Sequence, residues 1–390
     1  MGYLRRKYFA FRASRPLPNQ GLCGKDRGKR VWFLLGAAGR FAPHLGPGKS
    51  VGEYRGLARI VPMIRAASIS AFLGWLDANN RPRDQICREA GLGYLARIGP
   101  EQPIPVESAA RLVRLIGERE GPDIGCRVVD DTAFFQLAML AKVALGARTP
   151  VEALRRIEVA IARHCTHEVI TLRESADMLE IRDYWTSPFD RPVLHIVQQY
   201  VAMLVLSLMR MAEGPKVMPL RVEIIPDETL GLAHLMPWFG PGLVPSKSGL
   251  LIMQFASEVG TRPFQKVMRD RSQRVQNTEF DPLRGDGTLS HGVRTTIGLM
   301  MEDGGPSIEQ VAEAARMSVR TMQRHLADEG TSFSALVDDV RRTQALRELN
   351  EGEGSIGALA VALGYSQQSA LTRAMRRWTG RPPSHARRRN

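Results

Sequence analysis

A chain of 390 residues that is 44% hydrophobic and 24% charged has room for two domains with separate cores, which excludes a disordered or low-complexity class. Its four cysteines, at 23, 87, 126 and 165, form no CxxC pair, which argues for reduced thiols and against a disulfide framework or a thiolate metal cluster. The net charge of +14 points to a polyanionic partner but is uneven: thirteen basic against two acidic residues in 1–62, twenty-eight against twenty-nine in 63–306, and thirteen against nine in 307–390.

The first 62 residues are rich in Gly, Pro and Arg and hold one short apolar stretch, Val31 to Ala38, too far from the start for a secretory signal. The segment is expected to be a basic, disordered or non-native extension, with the natural start at Met63. A basic tail that adds nonspecific affinity for DNA is the alternative.

The region that follows, 63–270, reads as helices with strands interposed. Short helices are expected over Asp84 to Ala90 and Val106 to Glu118, the latter placing Val106, Ala109, Ala110, Val113 and Ile116 on one face. Thr149-Pro150-Val151-Glu152 opens another helix, running through Cys165, with cap and first-turn proline in their favoured places. Residues 168–174 and 178–184 alternate around Ser175-Ala176-Asp177, a hairpin signal. A long helix is expected over Pro192 to Ala212, and further strands over Leu220 to Ile225 and Gly249 to Phe255. The most apolar stretch, Val193 to Met211, is interrupted by His195, Gln198 and Gln199, so no membrane span and a cytoplasmic location are expected.

Polar residues able to contact a small metabolite in this region are Arg163, His164, His167 and Arg182, with Trp185 or Trp238 as a ring wall. Buried histidines and tryptophans serve more often as core or rim residues than as ligand contacts. Cys165 between His164 and His167 hints at a metal, but a helix points these three in different directions, and no metal or other cofactor is expected. Nucleophile-elbow, phosphate-loop and zincin motifs are missing from the sequence, so no enzymatic activity is expected.

After a linker at 271–289, the same helical pattern occurs twice in tandem. Ser307-Ile308 to Ser318 and Ser355-Ile356 to Ser366 each run Ser-Ile, two residues, apolar-Ala, a turn, then Ser. Ser307 with Gln310 makes a capping box, and Ile308, Val311, Ala312 and Ala315 form a buried stripe. Gly364 supplies a left-handed turn, and Ser318 and Ser366 are expected to cap the next helices. In those helices Met322 and Leu326, and Leu371 and Met375, point inward. That leaves Arg320, Thr321, Gln323 and Arg324 in the first copy and Gln367, Gln368, Ser369, Thr372 and Arg373 in the second, side chains suited to base edges and phosphates. A linking helix is expected over Ser334 to Leu349. From Ser366 to Asn390 there are seven arginines, including Arg376 and Arg377, and no acid, as suits a tail along phosphates.

Residues 290–390 resemble the DNA-binding domain of the AraC/XylS family of bacterial transcription regulators. The resemblance rests on Ser318, Arg320, Thr321, Gln323 and Arg324, on Gly330-Thr331-Ser332-Phe333, and on Gly364-Tyr365-Ser366 leading through Arg373 to Gly380 and Pro383. It implies that Gly330 ends the first recognition helix, Phe333 anchors the linking helix and Trp378-Thr379-Gly380 closes the second unit. Leu371 and Met375 stand where phenylalanines are usual, and Ala386 where an aromatic is common. Ala71 to Lys266 is similar, in element order, to the sensor domain named for arabinose binding in one branch of the family. Such domains begin near the place of Met63, and the likeness implies effector sensing and dimerisation.

The expected fold class is mainly α, with a smaller α+β sensor domain and a C-terminal all-α double helix-turn-helix of two three-helix units joined by a linking helix. The expected function is a sequence-specific transcription activator, a homodimer that binds operator DNA, works with RNA polymerase and answers a small-molecule effector. An effector-independent architectural DNA-binding protein is the alternative. A DNA-repair alkyl transferase fused to the same reader is a weaker one, since no cysteine sits in an activated setting.

Overall fold

The computed structural model describes residues 60–386 except 131, 265–282, 284, 302–303 and 352–354. The expectations for the N-terminal extension and most of the linker, and Arg387 to Arg389, lie outside the described residues, save Ile60 to Pro62 and a few positions near 283–289.

The chain has an N-terminal α+β region, the longer of the two, and a C-terminal helical region. β1 (Met63–Arg65) pairs antiparallel with β2 (Pro103–Pro105). Between them lie α1 (Ser70–Ala78) and α2 (Arg83–Glu89). α3 (Val106–Glu120) buries Val106, Ala109, Ala110, Val113 and Ile116, the stripe that its sequence spacing marks. After α4 (Met139–Leu145) comes α5 (Pro150–His164), where Thr149 accepts from the Glu152 N–H at 3.3 Å and Pro150 fills the first turn.

β3 (Glu168–Glu174) and β4 (Met178–Trp185) form the expected hairpin, with Glu168 opposite Trp185 and Glu174 opposite Leu179. With β5 (Arg221–Ile224), β6 (Leu243–Pro245) and β7 (Leu251–Ala256) they make a five-stranded sheet in the order β3-β4-β7-β5-β6, parallel only between β5 and β6. The three-residue strands β1, β2 and β6 carry too little alternation to stand out in the sequence.

α6 (Arg191–Glu213) is, by length and composition, long and apolar enough to cross a membrane, which corrects the expectation that its polar residues disqualify it. Yet 78% of its apolar window is buried inside the fold. The interrupting residues are core groups with partners: Gln198 donates to the Gly249 carbonyl at 2.9 Å and accepts from the Ile225 N–H at 2.8 Å. Gln199 donates to the Pro122 carbonyl at 2.7 Å, and His195 Nδ1 meets the Ile225 carbonyl at 2.6 Å. Bonded this way, the amides inside an apolar helix tie it to the loops around it.

The C-terminal region runs α7 (Leu289–Met300), α8 (Ile308–Ala314), α9 (Val319–Asp328), α10 (Phe333–Glu351), α11 (Ile356–Ala362), α12 (Gln368–Thr379) and the short α13 (Pro383–Ala386). α7 is capped by Thr288, and both Glu329 oxygens accept from its first N–H groups, those of Leu289 and Ser290, at 2.8 Å each. Val61 and Met63 belong to the core of this region, not to that of the α+β region. A Cβ on Gly292 would lie 2.9 Å from Val61, so α7 needs a glycine to seat that strap. The strap also serves the other region: the Pro62 carbonyl accepts from the Val106 N–H and the Met63 N–H donates to Thr166 Oγ1. Residues just ahead of Met63 therefore take part in the packing of both.

Candidate nucleic-acid interface and a buried cavity

α8 and α9 form one helix pair and α11 and α12 a second, and both share one hydrophobic core with the linking helix α10. In the first pair Ser307 and Gln310 make the complete capping box, and Ser318 Oγ accepts from the Thr321 N–H at 3.1 Å. Met322 and Leu326 are wholly buried, so the helical phase leaves Arg320, Gln323 and Arg324 exposed and Thr321 half-buried. In the second pair Leu371 and Met375 are wholly buried, while Gln367, Gln368, Ser369, Arg373 and Arg376 are exposed and Thr372 is half-buried.

Two details depart from expectation. The N-cap of α12 is Gln367, not Ser366, and no side chain caps it. The chain stays extended one residue longer there, leaving Ser366 too far from the N–H groups that a cap serves. Arg377 turns back on α10, where Asp338 accepts from it at 2.7 and 2.9 Å and also accepts from the Trp378 indole at 2.9 Å. Arg320, Arg324, Arg373 and Arg376 have no acidic partner among the described residues, so their guanidiniums face solvent uncommitted.

The turns inside the two pairs are closed differently. Gly364 takes φ +71°, and Arg341 of α10 donates to the Leu363 carbonyl at 2.9 Å and lies over the Tyr365 ring at 4.6 Å. The matching residue of the first pair, Arg316, takes φ +56° with a full side chain, a conformation that costs an L-residue about 1 kcal/mol. That side chain pairs with Glu107 of α3 at 3.0 Å and covers the Phe189 ring at 4.8 Å. Beside it Arg111 pairs with Glu313. The first turn is thus held by the α+β region and the second by the linking helix.

A family model described as a helix-turn-helix domain matches residues 311–389, both pairs together. Over 105 residues the chain is 41% identical to the HTH-type transcriptional regulator VirS of Mycobacterium tuberculosis, a stretch that is 27% of this chain and 31% of that protein. The C-terminal region is an AraC-type helix-turn-helix domain. The helix-turn-helix domain is also 38% identical over 79 residues to the ornithine utilization regulator of Pseudomonas aeruginosa, covering 20% of this chain and 23% of that one. The chain thus spans 31% or less of the length of these two relatives. The crystal structure of the transcriptional regulator CdpR from Pseudomonas aeruginosa overlays on 77% of this chain and 97% of its own, with 20% identity and a TM-score of 0.35. At that score the overlay says nothing further.

Away from the helix-turn-helix domain, α3, α5, α6 and the β3–β4 hairpin line a partly open cavity of about 110 Å³. Its walls are almost wholly aliphatic and aromatic, among them Phe72, Ala110, Phe134, Leu154, Leu204 and Leu208. At one end stand Ser68, His164, His167, Glu168 and Tyr200, with Trp185. Of the residues that the sequence offered as effector contacts, His164, His167 and Trp185 meet here. Arg163 is exposed, and its carbonyl accepts from Arg65 Nε at 2.9 Å, while Arg182 pairs with Glu180 at 2.6 Å; neither lines the cavity. Helical phase separates Arg163 from His164, since His164 falls seven residues after Ile157 on the buried face of α5.

The polar residues of the cavity include no cation. Burial pulls both His164 and His167 down to about 3, so both are neutral imidazoles. Burial pushes Glu168 and Asp183 up, and Glu168 beside it raises Asp183 further while the hydrogen bond from Asp183 holds Glu168 down, so the pair retains a proton on Asp183. The Tyr200 phenol and Cys165 thiol are pushed up by burial too. His164 Nε2 meets Ser68 Oγ at 2.6 Å, whereas His164 Nδ1 and the Tyr200 hydroxyl have no hydrogen-bond partner among the described residues. Sequence reasoning missed Ser68, Glu168 and Tyr200. For Tyr200 the signal was present, a lone phenol on the Val197, Val201, Leu204 stripe of α6.

Proposed function

We propose that the chain is a transcription regulator whose two helix pairs bind successive major grooves of operator DNA, under control of a small molecule held in the α+β region. The observation that carries the reading is the pair of polar faces turned to solvent: Arg320, Thr321, Gln323 and Arg324 on α9, and Gln368, Ser369, Thr372, Arg373 and Arg376 on α12 with its N-cap Gln367. Both lie at or near helix N-termini, where a recognition helix meets base edges. The 19-residue α10 that separates them is about 28 Å long at helical rise. That is of the order of one duplex turn, roughly 34 Å, so both pairs can face one side of the DNA. VirS and the ornithine utilization regulator are named as regulators, which supports the same reading.

Arg pairs bidentately with guanine and Gln with adenine, so these faces read sequence, while Arg376 and the arginines beyond it supply phosphate contacts. Effector control rests on the apolar cavity and on the contacts joining α3 to the first helix pair. Dimerisation, activation and contact with RNA polymerase complete the reading by resemblance. A ligand acts in it only through unequal affinity for two geometries of the chain.

The test is binding of the full chain to DNA upstream of its own and adjacent genes at two salt concentrations. Tight, sequence-selective binding that Gln323→Ala and Arg373→Ala each weaken is expected. Weak binding that ignores both sequence and substitutions would overturn the reading and favour an architectural protein.

A further inference from the structure

The cavity's lining narrows what can occupy it. A pentose or other sugar carries hydroxyls all round its ring, each needing a partner once out of water, and every buried hydroxyl left unpaired is costly. Here the polar groups are few and in contact, Ser68 on His164 and His167 against Trp185, and the rest of the lining, Leu137, Leu140, Leu154, Ile157 and Leu208 among it, offers none. A carboxylate or other anion needs a cation, and no Lys or Arg lines the space. Arg65, the nearest buried guanidinium, is committed to the Arg163 carbonyl and to Glu101. A protonated amine would face two neutral imidazoles and a single carboxyl, Glu168, that burial pushes toward its neutral form. In volume, about 110 Å³ compares with the roughly 150 Å³ of an apolar cavity that admits benzene.

We propose, on the reading above that a small molecule controls this chain, that the ligand is an uncharged, ring-sized or short-chain apolar molecule with one or two hydrogen-bonding groups. Its apolar body lies among the Leu and Ile walls, and its polar group sits between Tyr200, His164 and His167. The His164 Nδ1 atom and the Tyr200 hydroxyl, buried with no partner among the described residues, are what that polar group satisfies. The same end of the cavity leads outward. His167 meets the Trp185 ring edge-on at 4.7 Å, Trp185 meets Phe189 at 4.7 Å, and Phe189 lies under Arg316 of the first helix pair. A ligand that shifts Trp185 therefore bears on the one turn of the helix-turn-helix domain that the α+β region holds.

The test is calorimetric titration of the full chain with phenol, indole, benzene, benzoate and L-arabinose, with DNA affinity measured in parallel. Saturable binding of phenol and indole is expected, at least tenfold tighter than benzoate or arabinose and abolished by Ala110→Phe, which fills the cavity. If Ala110→Phe fails to fold, Ala109→Leu fills the same wall by less and should weaken binding at least threefold. Tyr200→Phe and His167→Phe should each weaken phenol at least threefold and leave benzene unchanged. The proposal is overturned if none of the neutral compounds saturates, if binding survives the filled variants, or if benzoate or arabinose binds as tightly. Phenol binding that leaves DNA affinity untouched would uphold the ligand class and remove effector control from the reading above, so the two failures are distinct.

Discussion

The two helix pairs of the C-terminal region come from one sequence pattern, yet each is stabilised by a different neighbour. The first has a full capping box and a capped second helix, but its turn is an arginine at positive φ docked on α3 and Phe189. The second lacks a side-chain cap on α12 but closes its turn with Gly364 and secures it through Arg341, Arg377 and Asp338, all within the helix-turn-helix domain. A repeat duplicated in sequence has thus been divided in role: one unit is coupled to the α+β region, the other is self-contained.

The largest expected effect tests the self-contained turn. A Cβ on Gly364 would lie 2.7 Å from the Gly304 carbonyl oxygen, and φ there is +71°. Strain and backbone clash together should cost Gly364→Ala about 2–4 kcal/mol, read as a lowered unfolding midpoint of the C-terminal region. An alanine tolerated without loss would mean that this turn is no tighter than the first.

Next in size is the comparison of the two readers on DNA. Arg320→Ala and Arg373→Ala should each cost about 1–3 kcal/mol of operator affinity, and each should relax selectivity at a different base position, separated by about one turn. Equal losses on all sequences, with a shallower salt dependence, would reassign that arginine to a phosphate. If only one of the two matters, the second pair is a scaffold for the first.

A smaller effect separates the caps. Ser318→Ala removes a bonded cap and should cost about 1 kcal/mol of stability, whereas Gln367→Ala removes none and should cost close to nothing. Equal melting of the two variants would show that the difference between the caps has no energetic weight.

How much of this was legible in the sequence follows from how local each feature is. Capping boxes, buried stripes at helical spacing and the β3–β4 hairpin are set by residues a few positions apart, and they stand where Ser307, Val311 and Ser175 to Asp177 place them. The shift of the α12 cap to Gln367 was not legible, because Ser366 satisfies the same pattern one residue early. The cavity was half legible. His164, His167 and Trp185 drew notice as polar or aromatic types, but Arg163 and Arg182 did too, and only side-chain direction on α5 and β4 tells them apart. Its apolar walls come from helices more than a hundred residues apart, and no window of sequence holds them together. The Val61 strap was hidden for the same reason: its partner, Gly292, is more than two hundred residues away.

The smallest effect on stability bears most directly on the division of roles. Arg316→Gly relieves about 1 kcal/mol of left-handed strain. It gives up a partly exposed ion pair with Glu107, worth about 0–1 kcal/mol, and a cation–π contact with Phe189 worth about 0.5–1 kcal/mol. The terms nearly cancel, so the melting curve should hardly move. The docking of the first pair on α3 should loosen all the same, because both lost contacts cross between the regions and the relieved strain does not. If DNA binding requires that docking to open, Arg316→Gly should raise operator affinity by up to about fivefold, roughly 1 kcal/mol, with Arg341→Ala in the second pair unable to mimic it. A drop in affinity would instead mean that the docked geometry is the one that reads DNA, and that Arg316 is strained in order to hold it there.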